Sequence, residues 1–287
     1  MRLQDWKNSG AYYVYKTHQI FYKEEGIGVP LILVHGFPTS SWDWNKIWNP
    51  LAKKYKMLAI DMLGYGFSSK PTDFNYTIAS QVDLWETILK EKGITSFHIL
   101  AHDYGDTVVQ EMLARLKENT EYEFKIESVC FLNGGMFPET NFPTRTQKML
   151  LTPFGSILKH FMGRNTLAKN FKKIFGKHTQ ASEQEIDMFW EAIDYNSGKN
   201  VIPKLIKYLN ERDTYKIRWR EAIQYTDVPK RLIDGAVDPI SGRHMAEFYQ
   251  KIIPNADVVI LDKIGHYPQT EAPEDVLRHY IEFRERL

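Results

Sequence analysis

Short, unbroken apolar runs constrain this chain more than any other feature. PLILVH at 30–35, KMLAID at 56–61 and SFHILA at 96–101 carry almost no polar interruption. Strands of that kind have no face to offer water, so something must cover them on both sides. Amphipathic helical patterns at 41–53, 79–92 and 104–117 follow these runs in turn. Strands alternating with helices predict βαβ units and a mostly parallel central sheet flanked by helices. KIESVCFL at 125–132 adds a further strand, and two alternating aromatic segments at 11–16 and 19–24 predict a leading hairpin.

The alternation stops after residue 137. Residues 138–221 hold proline, threonine and amphipathic helical stretches without a buried strand. It resumes with PKRLID at 229–234, a helix through 241–253, ADVVIL at 256–261 and a last helix from Glu274. The division expected is therefore an α/β core of residues 1–137 and 222–287, interrupted by a helical cap at 138–221. Charge marks the same region. Residues 145–220 carry 15 Lys and Arg against 7 Asp and Glu, a net of +8, while the whole 287-residue chain is only +1.

Such a length suits one large α/β domain with a sizeable insertion. A single cysteine, Cys130, excludes an internal disulfide framework and any cysteine-based zinc site. The first residues contain no secretory h-region, and no run approaches a membrane span. The expectation is a soluble, cytoplasmic protein without cofactor or metal, and no nucleic-acid partner.

LAHDYGD at 100–106 joins a buried strand to a helix, with small residues two before and two after Asp103. That is the nucleophile-elbow pattern, in which a strained turn lifts one side chain above the sheet. Here an aspartate occupies the nucleophile position. By itself Asp103 could equally be a helix N-cap. HGFP at 35–38 follows the first central strand, where a loop can aim a backbone N–H at an oxyanion; the donors would be the N–H groups of Phe37 and Tyr104. Asp238 follows a later strand and His266 the last one. The order Asp103, Asp238, His266 is the nucleophile–acid–histidine order of α/β-hydrolases. Asp234 competes for the acid role, but it lies within its strand, before the turn.

On HGFPTSSWDW, DMLGYGFSSKP, AHDYGD and GHYPQTEAP, the chain resembles α/β-hydrolases of the epoxide hydrolase and haloalkane dehalogenase group over nearly its whole length. Within that group it is most similar to the mesoderm-specific transcript-like hydrolases, which NGGMFPET at 133–140 also suggests. The resemblance implies an α/β-hydrolase fold with an inserted helical cap. It implies attack by Asp103 on an sp³ carbon to leave an alkyl ester, then hydrolysis by water that His266 activates, with Asp238 orienting the histidine. A carboxylate serves poorly as an esterase or amidase nucleophile, so simple ester hydrolysis is disfavoured.

Epoxide hydrolases of the group use cap tyrosines to donate to the epoxide oxygen. YLNER at 208–212 matches one such stretch and assigns Tyr208 to that role, although a tyrosine packed at the cap–core interface has the same signature. No tyrosine lies between 138 and 190, which leaves His160 as the conceivable second group. Haloalkane dehalogenases of the group carry Trp after the nucleophile and often Asn after the His-Gly pair; Tyr104 and Phe37 stand there instead. Asp106 also replaces a residue that is usually glycine. The expected activity is therefore epoxide hydrolase-like on a small hydrophobic substrate, with haloalkane dehalogenation as the alternative. A non-catalytic binding scaffold or lipid-surface module is the alternative of another class. KNFKKIFGK at 169–177 is basic and amphipathic, and reads as a solvated face before it reads as a membrane contact.

Overall fold

A computed structural model describes all 287 residues. One eight-stranded sheet runs through the molecule: β1 (Ala11–Tyr15), β2 (His18–Glu25), β3 (Val29–Val34), β4 (Tyr55–Ile60), β5 (Ser96–His102), β6 (Lys125–Leu132), β7 (Lys230–Gly235) and β8 (Asp257–Leu261). Their order is β1-β2-β4-β3-β5-β6-β7-β8. Pairing is antiparallel through β1, β2 and β4 and parallel from β4 onward. This is the α/β-hydrolase fold that the alternating pattern predicts.

The most apolar runs take the centre. Leu31, Ile32, Leu33 and Val34 of β3 and Ile99, Leu100 and Ala101 of β5 are fully buried. The helices Ile78–Glu91 and Tyr104–Glu118 supply part of the cover. Between β4 and β5 the chain crosses over β3, and strand order reverses there. Crevices at the carboxyl ends of strands beside such a reversal are the usual ligand sites of open α/β sheets. The loops after β3 and β5, bearing Phe37 and Asp103, lie at that point.

Two local expectations change. Residues 41–53 form a 3₁₀ turn, Ser41–Trp44, and a separate short helix, Trp48–Ala52. Trp42, Trp44, Ile47, Trp48 and Leu51 are all buried, more sides than one amphipathic stripe can bury. Asp61 meanwhile accepts the Ser41 N–H at 2.7 Å and fixes the turn. An additional N-terminal helix, Leu3–Asn8, buries Leu3 and Trp6.

Between β6 and β7 the chain holds helices joined by loops and no strand, from a 3₁₀ turn at Pro138–Thr140 to the helix Lys216–Tyr225. The expected boundary at 221/222 falls inside that last helix. Trp219 on it donates its indole N–H to Glu111 of the Tyr104–Glu118 helix at 2.8 Å, and Arg218 pairs with Glu111 and Glu118. These contacts, not sequence amphipathicity, tie residues 216–225 to the core side.

Close backbone approach explains one small residue of the elbow. A Cβ on Gly105 would lie 2.2 Å from the Val34 carbonyl oxygen. Gly105→Ala is expected to lower stability in urea unfolding by roughly 1–3 kcal/mol, the usual cost of overpacking. Gly163→Ala, where a Cβ meets nothing within 4 Å, serves as the control and should change it by less than about 0.5 kcal/mol.

Candidate active site

Asp103 sits between β5 and the Tyr104–Glu118 helix with φ 49° and ψ −105°, a conformation that L side chains rarely adopt. It is held from several sides. Its N–H donates to the Leu132 carbonyl at 3.2 Å, and its carbonyl accepts the Asp106 N–H and Arg212 Nη2, each at 3.2 Å. The side chain thus stands above the sheet and is not an N-cap: it accepts nothing from the first turn of its own helix.

The two carboxylate oxygens face different groups. Oδ2 accepts the Phe37 N–H at 3.0 Å. Oδ1 lies 3.9 Å from His266 Nε2 and 3.8 Å from Arg212 Nη2. Tyr104 is the first residue of the helix, so its N–H has no carbonyl one turn back to bond.

His266 donates Nδ1–H to Asp238 Oδ2 at 2.7 Å. Asp238 in turn accepts the Ile240 and Ser241 N–H groups, the Ser241 hydroxyl and the Asn133 side-chain amide at 2.8–3.2 Å. Asp234, the rival acid, does not reach the histidine. It is buried at the end of β7, where burial pushes its carboxyl well above the carboxylate range.

Burial alone would raise the carboxyls of Asp103 and Asp238, but the groups facing them reverse its sign. His266, then Arg212, holds Asp103 well below the ordinary carboxylate range, and His266 with its loop donors lowers Asp238. Burial would likewise pull the His266 imidazole down. The carboxylates of Asp238 and Asp103 overrule it and hold the ring well above its ordinary value. The two carboxylates thus favour the protonated ring between them.

Several residues of this site carry no obvious motif role. His102 is buried, and burial together with the charge of His266 lowers it to about 3. As a neutral ring it donates Nε2–H to the His266 carbonyl at 2.7 Å. Glu271 accepts the N–H groups of Gly265 and Tyr267 at 2.9 and 3.0 Å, and those of Gly176 and the Thr179 hydroxyl at 2.7 and 2.6 Å. One carboxylate therefore pins the histidine loop to the helical insertion. Asn133 joins β6 to the acid loop by accepting the Gly235 N–H at 2.6 Å while donating to Asp238. Arg212 is buried, donates Nε–H to the Thr107 hydroxyl at 2.8 Å and lies 4.7 Å from the Tyr208 ring. Only the position of Glu271 in GHYPQTEAP and of Arg212 in YLNER hinted at them.

Tyr208 is buried beside Phe37 and Tyr104, with ring centroids 5.9 and 4.8 Å away. Burial, then the charge of Asp103, pushes its phenol up, so it stays protonated. His160 does not join the site. It lies exposed on the 3₁₀ turn Lys159–Phe161 and outside the wall of the adjacent cavity. Aligning it with a second donor fails because the turn Lys159–Phe161 leaves the His160 side chain in solvent, off the cavity wall.

That cavity opens over His266 and Phe37 and is roofed by the insertion, through residues such as Leu150, Met162, Leu167, Phe171 and Trp190. Asp103 is not itself in the wall; its Oδ2 accepts a hydrogen bond from the N–H of Phe37, which is. Eleven of the nineteen lining residues are hydrophobic, which suits an apolar ligand. No group of three or more His, Cys, Asp or Glu side chains is arranged to hold a metal ion, and no helix is long and apolar enough to cross a membrane.

Asp106 adopts a state that its position did not reveal. Both its oxygens are buried without a hydrogen-bond partner, against Gly134. Burial, with the charge of Asp103, keeps its carboxyl protonated. The folded protein thus holds a proton that the unfolded chain releases above about pH 4. Stability from this group is complete below that pH and falls as pH rises, with Asp43 and Asp234 acting in the same sense. Asp106→Asn is expected to flatten that decline. Its stability relative to the parent should rise between pH 5 and 8, by up to about 1.4 kcal/mol per pH unit. An offset equal at both pH values would show Asp106 ionised in the fold.

The family described as alpha/beta hydrolase fold matches residues 29–273. The mesoderm-specific transcript homolog protein of Bos taurus is 40% identical over 295 aligned positions, covering 98% of this chain and 87% of the relative. Among solved structures, a haloalkane dehalogenase from Bradyrhizobium elkani superposes with a TM-score of 0.79 at 22% identity, covering 97% of this chain and 99% of that one. An epoxide hydrolase superposes with a TM-score of 0.76 at 16% identity, covering 96% and 97%. At those identities the two structural likenesses concern the fold alone.

Proposed function

The chain belongs to the α/β-hydrolase family, and on that footing we propose that it is a hydrolase working through an alkyl ester on Asp103, with epoxides as its substrate class. One observation carries the reading: the elbow nucleophile is a carboxylate whose two oxygens are already sorted, Oδ2 onto the Phe37 N–H and Oδ1 toward His266. In the first step Oδ1 bonds to a ring carbon as the carbon–oxygen bond breaks. The ring oxygen ends as an alcohol carrying the proton that the resting imidazolium held, and the protonated Tyr208 phenol donates a hydrogen bond to it.

Ester formation then changes the histidine. It removes the negative charge of Asp103, one of the two that hold the His266 ring up. The ring, neutral now and still oriented by Asp238, takes a proton from water as the water oxygen bonds to the ester carbonyl carbon. Negative charge develops on Oδ2, where the N–H groups of Phe37 and Tyr104 stabilise it. Collapse frees the diol and restores the carboxylate. The cavity encloses about 80 Å³, well under the few hundred Å³ of drug-sized sites, which favours a slender apolar epoxide.

Haloalkane dehalogenation is the second reading, favoured by the same carboxylate nucleophile. It fits less well because the residue after the nucleophile is Tyr104, whose ring packs between Tyr65 and Tyr208, in place of an indole N–H for a halide. Cap residues 138–221 serve in either case as the roof of the site.

His266→Ala, incubated with a panel of short epoxides and haloalkanes and followed by intact mass, should accumulate an adduct on Asp103. An adduct with the full epoxide mass supports ring opening. One equal to substrate minus hydrogen halide transfers the reading to dehalogenation. An adduct that persists in Asp103→Asn removes Asp103 as nucleophile, and no adduct across the panel favours a non-catalytic binding scaffold.

The pH dependence has a definite sign. Arg212→Gln removes a cation that helps hold Asp103 down, so the acid limb of alkylation should move to higher pH. Hydrolysis of the preformed ester, measured in single turnover, should keep its rate to lower pH than alkylation implies for His266 in the free enzyme. Coincident limbs would mean that the Asp103 charge does not control the histidine.

A further inference from the structure

The outer face of the cavity roof combines two features that the hydrolase reading does not use. Residues 142–177 contain eight Lys and Arg and no Asp or Glu. Arg164 pairs with Glu183 and Asp187. The other seven, Arg145, Lys148, Lys159, Lys169, Lys172, Lys173 and Lys177, make no salt bridge, although cations elsewhere in the chain are commonly paired. The same segment carries large apolar side chains in solvent: Met149, Phe154, Ile157 and Phe161 are 51%, 68%, 55% and 77% exposed.

Their spacing is not scattered. Phe154 precedes the helical turn Gly155–Leu158, which runs directly into the 3₁₀ turn Lys159–Phe161. Positions 154, 157 and 161 therefore share one helical face, while Leu158 and Met162 turn toward the core. Isolated exposed apolar residues are ordinary, but an aligned set rimmed by unpaired cations marks an interaction surface. The same segment builds the cavity wall. Lys148 and Met149 point outward where Gln147 and Leu150 line the cavity, and Lys172 and Lys173 point outward where Phe171 lines it.

We propose that this face docks on an anionic lipid surface, the aromatic and aliphatic side chains entering the headgroup boundary and the free lysines meeting the lipid charge. The chemistry matches an interfacial amphipathic element: apolar residues along one side, unpaired cations in the same segment, and no acidic residue within 142–177, Glu183 and Asp187 beside it being paired with Arg164. Docked so, the roof of the cavity faces the bilayer, the phase in which an apolar substrate concentrates. The docking does not depend on Asp103 being the nucleophile.

Co-sedimentation of the full chain with sucrose-loaded vesicles tests this. Binding is expected to vesicles of 70% phosphatidylcholine and 30% phosphatidylglycerol, falling about tenfold or more on pure phosphatidylcholine or at about 0.5 M salt. Lys172→Glu with Lys173→Glu should reproduce the loss, and Phe154→Ser with Phe161→Ser should weaken binding at low salt as well. These sites are exposed, so thermal unfolding should match the parent; if the aromatic pair destabilises, the lysine pair decides alone. Absence of binding to the anionic vesicles overturns the proposal, as does binding that neither pair changes. A dimer that Phe154→Ser with Phe161→Ser dissolves, without vesicle binding, would instead assign the face to a second copy of this chain.

Discussion

The strained turn at Asp103 is the constraint on which the remaining site geometry depends. A positive φ on a non-glycine residue costs energy of order 1–3 kcal/mol, and the surroundings must over-determine it. They do so from every direction. Leu132 of β6 accepts the Asp103 N–H, Arg212 of the insertion donates to its carbonyl, and Gly105 lets the helix press against β3. The reward is position: the carboxylate stands at the reversal of strand order, within reach of the loop after β3 and the loop after β8.

Charge then organises what backbone strain has placed. Three groups, Asp103, His266 and Asp238, stay ionised while buried because each faces an opposite charge and fixed N–H or O–H donors. Asp43, Asp106 and Asp234 lie equally deep, and there burial outweighs the opposing charges and donors, so their carboxyls are pushed well up. The same side chain therefore stands here in two electrostatic states, separated by what faces it and not by depth. Buried ion pairs are poor sources of net stability, so this arrangement is better understood as preparation for chemistry.

The helical insertion is more than a roof. Glu271 and the Ile174 carbonyl, which accepts the His266 N–H at 2.8 Å, tie the histidine loop to residues 174–179. Arg212 ties another part of the insertion to the elbow. Movement of the roof would thus be felt by His266 and Asp103 together, and contact of its outer face with a surface would reach the same groups.

Much of this was legible in the chain itself. Unbroken apolar runs determine the buried parallel strands, because no other packing hides residues such as Leu31 to Val34 or Ile99 to Ala101. Small-x-Asp-x-small at 101–105, and the order of Asp103, Asp238 and His266, determine which side chains lie at strand ends. Tertiary structure alone decided the rest. Residues 41–45 broke an expected helix because all five are buried, which a single helical stripe does not allow. His160 proved to face solvent, and Glu271, Asn133 and His102 took positioning roles because their distant partners, Gly176, Asp238 and His266, lie 95, 105 and 164 residues away. Local patterns report which face of an element is buried; they do not report what meets it. Protonation has the same limit, since only the assembled site tells Asp103 from Asp106, three residues apart on one turn.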